Sequence, residues 1–337
     1  MNMNLVQLKH PQLGRRVAIV EEPSLVLLES PRSIYELALA AVDVGTTVAT
    51  AAGAARSNTT VNYDDVYSGR SDWQFLPAFD HPHDPMHCLV TGTGLTHKAS
   101  AENREKMHQA QTVGHLTDSM RMYQWGVDGG RPAESSIGVQ PEWFYKGTGH
   151  MLRAHGQPLE QPAYADDAGE EPEVAAAYII DQHGTPWRVG FATGNEFADH
   201  VMEKKNYLYL AHSKLRQAAV GPELALDNKF ESLTGTVTIR RGNEIVWSHA
   251  LQSGEAHMAH SLANLEYHQF KYAEHRQPGQ AHIHFFGAAA FSFGAQVTLH
   301  HGDVMQVEWE GLGRPLQNVL HADQTHEAFV AVSPFEH

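Results

Sequence analysis

The residues with most chemistry to offer lie in a short acidic run, Gly169-Glu170-Glu171-Pro172-Glu173, which feeds directly into the apolar stretch Val174 to Ile180. In extended chain successive side chains alternate faces, so Glu171 and Glu173 point the same way. Two carboxylates at that spacing repel unless something positive lies between them. A hard divalent cation is the natural resident, because Mg²⁺, Mn²⁺ and Ca²⁺ prefer oxygen ligands; the plain alternative is a solvated acidic loop. About one hairpin later, Gly194-Asn195-Glu196 offers either a third carboxylate or an ordinary turn. Lys214, followed by Gly221-Pro222, brings an ammonium near these acids, as an ion pair or as an anchor for a substrate carboxylate. His97, with Glu102 five residues on, is a candidate acid/base pair, since imidazole titrates near neutrality and a carboxylate orients and polarises it. Its alternative is an ordinary histidine at a helix entry. The run His81, His83, His87 has the residue type of a soft-metal cluster, but its prolines and lack of cysteine favour a surface loop.

The elements that must position these groups are legible in outline. Residues 16–20 and 25–29 read as two short strands around a turn, and Ser33 with Glu36 forms a capping box ahead of a helix over 34–42. Residues 43–86 turn to Ala, Thr, Gly and Asn and then to a proline-rich stretch, which reads as a connection. A buried-type strand at 88–94 and a polar helical stretch at 101–112 follow. From Glu173 onward strands dominate, with Gly242-Asn243 marking a hairpin and one long helix at about 256–272. The expectation is a β-rich α+β protein, with a small N-terminal domain and connector over 1–85 and a catalytic domain over 86–337.

Composition narrows the function classes. The 337 residues carry 24 Lys and Arg against 39 Asp and Glu, a net charge of −15 that disfavours phosphate backbones as partners. The longest apolar stretches fall far short of the roughly 20 residues that span a bilayer, and Met1 to Gly14 lacks the apolar region of a secretory signal. A single cysteine, Cys88, fits a reducing cytoplasm. Motifs for zinc proteases, α/β-hydrolases, nucleotide triphosphatases and Rossmann dehydrogenases are missing. Twenty-four histidines are unusual, and their scatter favours semi-buried aromatic use over a metal-binding tract.

Taken in order, several segments resemble the fumarylacetoacetate hydrolase superfamily over about residues 85 to 320. They are Cys88 to His97 (CLVTGTGLTH), Pro141 to Gly147 (PEWFYKG), the Glu171/Glu173 pair, Gly194-Asn195-Glu196, Ser213-Lys214 with Gly221-Pro222, and Leu299 to Val304 with Gly311 to Asn318. EEPEV, GNEFADH, NYLYLAHSKLR and HFFGAA resemble the branch of non-phosphorylating sugar-acid catabolism that includes 2-dehydro-3-deoxy-arabinonate dehydratases. The resemblance implies a mixed β-sandwich roll, Mg²⁺ or Mn²⁺ held by Glu171, Glu173 and Glu196, a small 2-oxo acid substrate and a homodimer. It also implies His97, Glu102 and Lys214 as catalytic groups, Lys146 as a second anion-binding group, and Phe144, Gly287 and Ala288 beside the substrate. Two departures stand out. The third ligand, commonly Asp, is Glu196, and the usual arginine is missing from Phe197-Ala198-Asp199-His200. The common Thr-Gly-Thr-Pro turn is Phe286-Gly287-Ala288-Ala289, which removes hydroxyls.

The expected activity is a metal-dependent dehydration of a 2-keto-3-deoxy sugar acid, such as 2-dehydro-3-deoxy-arabinonate to 2,5-dioxopentanoate. The cation would chelate the C1 carboxylate and C2 ketone and stabilise the enolate charge as the C3 proton leaves. Two other readings use the same residues: hydrolysis of a carbon–carbon bond in a 2,4-diketo acid, and non-catalytic binding of a sugar acid.

Overall fold

The computed structural model describes residues 3–99, 101–102, 104, 117–226 and 230–335. Four N-terminal strands, β1 (Asn4–His10), β2 (Gly14–Glu21), β3 (Ser24–Leu28) and β4 (Arg56–Asn62), form an antiparallel meander. The expected hairpin is β2–β3. Helix α1 (Ile34–Asp43) starts at the expected capping box: the Glu36 N–H donates to Ser33 Oγ at 3.1 Å and the Ser33 N–H to Glu36 Oε2 at 3.1 Å. The reading of 43–86 as a plain connection needs correction. It carries α2 (Val48–Ala54), β4, α3 (Tyr63–Tyr67) and the short β5 (Gln74–Phe75), because Thr47 and Asn62 cap helices and Thr60, Val61 and Asn62 pair with Val26, Leu25 and Ser24 of β3.

Beyond them come β6 (Cys88–Gly92), β7 (Phe144–Thr148), β8 (Leu152–Arg153) and β9 (Leu159–Gln161), then the long β10 (Pro172–Ile180) and β11 (Pro186–Asn195). The rest are β12 (Ala218–Val220), β13 (Leu224–Ala225), β14 (Leu233–Arg241), β15 (Glu244–Ser253), β16 (Ala281–Phe285), β17 (Val304–Trp309) and β18 (Leu316–Ala322). A hydrogen-bonded path runs β4-β3-β2-β1-β13-β11-β10-β16-β6-β7, and a second sheet runs β15-β14-β17-β18-β9. β16 and β6 are parallel, whereas β10 is antiparallel to both its neighbours, which makes the sheet mixed.

β10 is the spine. All nine of its residues are buried, as expected of a strand covered on both faces. Ala175, Ala177 and Ile179 pack into one core with Ile283 and Phe285, while Val174, Ala176, Tyr178 and Ile180 pack into another with Phe286, Trp309 and Leu265. The Gly242 turn between β14 and β15 has φ +59, as the hairpin reading requires. The late helix is shorter than expected: it spans Leu262–Phe270, because Ser261 caps it and residues 255–257 form a separate 3₁₀ turn. Of the polar helix expected at 101–112, residues 101, 102 and 104 are helical, and the remainder lies outside the described residues. Among the described residues no single helix is long and apolar enough to cross a membrane.

Candidate metal centre and active site

The three glutamates meet because of hairpin register. β10 and β11 pair Pro172 with Asn195 and Glu173 with Gly194, so Glu171 and Glu196 come opposite each other just past the strand ends, joined by the Glu196 N–H donating to the Glu171 carbonyl at 2.9 Å. One carboxylate oxygen from each of Glu171, Glu173 and Glu196 lies within 4.8 Å of the others, and all three residues are buried. Like charges opposite one another in an antiparallel pair are destabilising, so this end of the hairpin needs positive charge.

Lys214 supplies part of it. It ends the short helix Leu210–Lys214, just ahead of β12, which pairs with Gly194 and Asn195. Its Nζ donates to Glu171 Oε1 at 2.5 Å and to Glu196 Oε2 at 2.7 Å, stands 3.6 Å from Glu203, and lies 4.9 Å from the centre of the Phe144 ring. Lys146 and Phe144 alternate on β7 and are both buried. Lys146 Nζ donates to the carbonyls of Phe197 at 2.5 Å and Lys214 at 3.1 Å, and sits 2.5 Å from Glu196 Oε1. Lys146 Nζ thus faces three protein acceptors, two carbonyls and a carboxylate.

Burial and repulsion set the charges. Burial and the neighbouring Glu196 and Glu171 push the Glu173 carboxyl well above the usual range. Burial also lifts Glu196, to about 7, against the pull of Lys146 and Lys214. Glu171 goes the other way: burial opposes ionisation, but the Lys214 ammonium and a hydrogen bond from His200 hold it well below the usual range. Lys214 stays an ammonium, since its three acidic neighbours outweigh its burial, while burial pulls Lys146 down despite Glu196.

The donor set suits a hard cation. Three convergent carboxylates are an oxygen-only site of the kind a hard divalent cation prefers, and Glu196 Oε1 lies 2.5 Å from Lys146 Nζ, which leaves the other carboxylate oxygens to meet an ion. Among the described residues this is the one group of acids and histidines so arranged; His81, His83 and His87 form no such set.

Gly287 and Thr96 link the segment bearing His97 to this centre. Gly287 has φ +96 and its N–H donates to Glu173 Oε2 at 2.7 Å; a Cβ there would fall 2.1 Å from Thr96 Oγ1. Only glycine fits the turn and the contact together. Ala288 is buried beside it. Thr96 donates its hydroxyl proton to the Phe286 carbonyl at 2.6 Å, so toward His97 Nδ1, 3.0 Å away, it can only accept. That puts the imidazole proton on Nδ1 and leaves the Nε2 lone pair facing the Ser253 hydroxyl at 3.2 Å. Burial holds the His97 pKa down at about 3, so the ring is neutral. The structure does not join His97 to Glu102. Glu102 is partly exposed and pairs with Lys98 at 3.3 Å, the geometry of an i, i+4 contact on a helix.

Several supporting groups escaped sequence reasoning. Asn195 Oδ1 accepts the Glu171 N–H at 3.2 Å, Ser213 bonds Glu203 at 2.9 Å, and His200 bonds Glu171 at 3.0 Å. Arg104 pairs with Glu142 at 2.7 Å and Glu203 at 3.4 Å, with Tyr207 also bonding Glu142 at 3.0 Å. Asn195 and His200 stand in the same GNEFADH run as Glu196, a signal that was present; Arg104, Glu142, Tyr207 and Ser253 carry no local mark of their partners.

The chain matches no protein-family model and no curated protein sequence. Its fold does recur among solved structures. A hexagonal crystal form of 2-keto-3-deoxyarabinonate dehydratase superposes with a TM-score of 0.71 at 16% identity, covering 96% of this chain and 100% of that one. 2-Keto-3-deoxy-D-arabinonate dehydratase complexed with magnesium and 2,5-dioxopentanoate gives 0.70 at 16% identity with the same coverage. The 5-carboxymethyl-2-hydroxymuconate delta-isomerase of Mycobacterium smegmatis gives 0.58 at 14% identity, again covering 96% and 100%. The chain therefore has the fumarylacetoacetate-hydrolase-like fold that its motifs resemble, sharing it over nearly its whole length with a sugar-acid dehydratase.

Proposed function

We propose that this protein is a metal-dependent hydro-lyase that dehydrates a 2-keto-3-deoxy sugar acid, 2-keto-3-deoxyarabinonate being the first candidate. The observation that carries the reading is the convergence of Glu171, Glu173 and Glu196 within 4.8 Å in a buried site. The fold shared with a dehydratase crystallised with magnesium and 2,5-dioxopentanoate supports it. These glutamates would hold Mg²⁺ or Mn²⁺, which supplies a Lewis acid for the charge that develops on the C2 ketone oxygen.

The chain's own residues do the rest. His97, whose Nε2 lone pair faces the Ser253 hydroxyl while Nδ1–H donates to Thr96, is proposed as the group that takes the C3 proton. As that C–H bond breaks, the C4–O bond breaks and the hydroxyl leaves as water after protonation. Glu102 is proposed for that protonation, which requires it to leave its pairing with Lys98 and turn toward the substrate. Lys214, ammonium over the Phe144 ring and bonded to two of the three glutamates, offers the cation beside which a substrate carboxylate or developing oxyanion is stabilised. Lys146 acts as a positioning residue: it holds Glu196 and the carbonyls of Phe197 and Lys214 in one arrangement. The turn at Gly287 and Ala288 lacks hydroxyls, so this side of the substrate meets backbone and methyl groups.

The deciding experiment incubates the protein and Mg²⁺ with 2-keto-3-deoxy sugar acids and with 2,4-diketo acids, and reads products by mass spectrometry. Loss of one water from the sugar acid supports the reading. Cleavage of the diketo acid to pyruvate and a second acid, or no turnover of either, overturns it. We further propose a homodimer, supported by Phe329, Val330, Val332 and Phe335, which stand 84–99% exposed. Large apolar groups left in water are unfavourable alone and favourable when two copies bury them. Sedimentation of the full chain at micromolar concentration checks this; a monomer refutes it.

A further inference from the structure

Resting on the proposed metal centre, we infer that His200 is a positioning residue for it: its imidazole donates to Glu171 and fixes the orientation in which that carboxylate meets the cation. Four observations converge. His200 Nε2 lies 3.0 Å from Glu171 Oε1. A carboxylate only accepts, so Nε2 carries the proton and is not itself a free ligand nitrogen. The ring is then clamped. It stacks on Phe291 with centroids 4.8 Å apart and planes 11° from parallel, and lies 5.2 Å from the ring of Phe293. Among the described residues its other nitrogen, Nδ1, makes no hydrogen bond and stands 4.0 Å from the Asp167 carboxylate, so the one short directed bond of the ring is the one to Glu171.

The fourth observation is the space made for the ring. Gly169 lies against it so closely that a Cβ would fall 2.1 Å from Nδ1 and 2.3 Å from Cε1. Gly169 is also bridged to Ala198 through hydrogen bonds of 3.0 Å in both directions, which ties the segment bearing Glu171 to the segment bearing His200. The imidazole therefore has a built socket: two aromatic walls, a glycine floor and one directed bond. Glu171 Oε1 receives both this bond and the Lys214 bond, which keeps one oxygen occupied and turns the carboxylate as a unit. Hydrogen bonds to a ligating group from outside the metal's own ligands typically change affinity by 10–100-fold.

The test is Mn²⁺ and Mg²⁺ titration by calorimetry on the full chain, with Mn²⁺ electron paramagnetic resonance as a second readout. His200→Phe keeps the stacking and removes the bond; His200→Gln restores a donor near the position of Nε2. The expectation is that His200→Phe weakens Mn²⁺ binding about 10–100-fold with a changed Mn²⁺ spectrum, and that His200→Gln recovers most of the affinity. Gly169→Ala, which fills the floor of the socket, should weaken binding in the same direction with every ligand still present. If His200→Phe binds Mn²⁺ as the unaltered chain does, with the same spectrum, the inference is overturned. If His200→Phe no longer folds, as judged by circular dichroism, His200→Gln and Gly169→Ala decide it: unchanged affinity in both overturns the inference. If the unaltered chain binds neither cation, it is the metal reading of the glutamates that fails, and the inference with it.

Discussion

Two regions of this protein bury polar groups, and they do so in opposite ways. At the open end of the β10–β11 hairpin, Glu171, Glu173 and Glu196 sit with Lys146 and Lys214, all buried as potential charges. Where β16 meets the helix Leu262–Phe270, histidines are buried neutral: burial holds His282 and His284 down at about 3 and His260 at about 4. In the histidine region the His282 and His284 rings each have one hydrogen bond and an edge-on aromatic neighbour, and among the described residues Nε2 of His282 and of His284 has no hydrogen-bond partner. Gln269 and His282 bond at 3.2 Å, Thr91 and His284 at 2.7 Å, and the rings lie against Phe270 and Phe286. The carboxylate region is crowded with mutually repelling oxygens whose shared lysines satisfy them unevenly. Buried ion clusters rarely repay their desolvation. A fold that keeps one spends stability on something other than stability, whereas the histidines serve as half-polar aromatic filling.

That contrast can be broken in four places. The largest effect is expected at the carboxylates: Glu173→Ala, or removal of divalent cations with EDTA, should abolish turnover of the sugar acid, measured by steady-state product formation. Full activity in metal-free protein would remove the carboxylate region from the chemistry. Next, His97→Ala should lower turnover by about 10²–10⁴ while leaving Mn²⁺ affinity unchanged in calorimetry; near-normal turnover would take His97 out of the reaction.

The third effect concerns stability. Lys214→Met leaves Glu171 and Glu196 facing each other without their shared cation, and breaking such a buried set costs about 3–5 kcal/mol, to be read from urea unfolding in EDTA. A loss below about 1 kcal/mol would mean that the cluster is far better solvated than its burial implies. The smallest effect is in the histidine region and runs through pH. Because His260, His282 and His284 are held below their unfolded value of 6.5, the unfolded chain binds protons that the folded chain refuses between about pH 6.5 and 3. Stability is therefore present above pH 6.5 and lost as pH falls, by about 1.4 kcal/mol per unit for each such group. His282→Phe should flatten that slope by about one group's worth in urea unfolding between pH 7 and 5, and leave turnover at pH 7 within about twofold of normal. Unchanged acid sensitivity would show that His282 is not one of the groups refusing the proton.

Local chemistry made much of this legible. The capping box at Ser33, the Gly242 turn, the apolar β10 run and the pair Glu171/Glu173 each depend on residues within a few positions of one another, and sequence spacing is enough to read them. The segment 43–86 misled because its Ala, Gly and Thr content resembles a linker, while its order comes from pairing with β3 and packing against α1. The pairing of His97 with Glu102 is not made, for a related reason. Five residues is close in sequence, yet His97 turns inward to Ser253, 156 positions away, and Glu102 turns out to Lys98.

The sequence alone therefore determined the inventory: three acids in two short runs, a lysine and a histidine that suit a hard-cation site, and strands able to hold them. Their assembly belongs to tertiary structure. The β10–β11 register puts Glu196 opposite Glu171, and the chain reversal before β12 swings Lys214 between them. Packing also spends Lys146 on internal carbonyls and closes the Gly169, Phe291 and Phe293 socket around His200. The physical reason is that side-chain charge and shape are local properties. Which groups share a desolvated volume depends on long-range pairing, and that volume fixes their protonation and what they can bind.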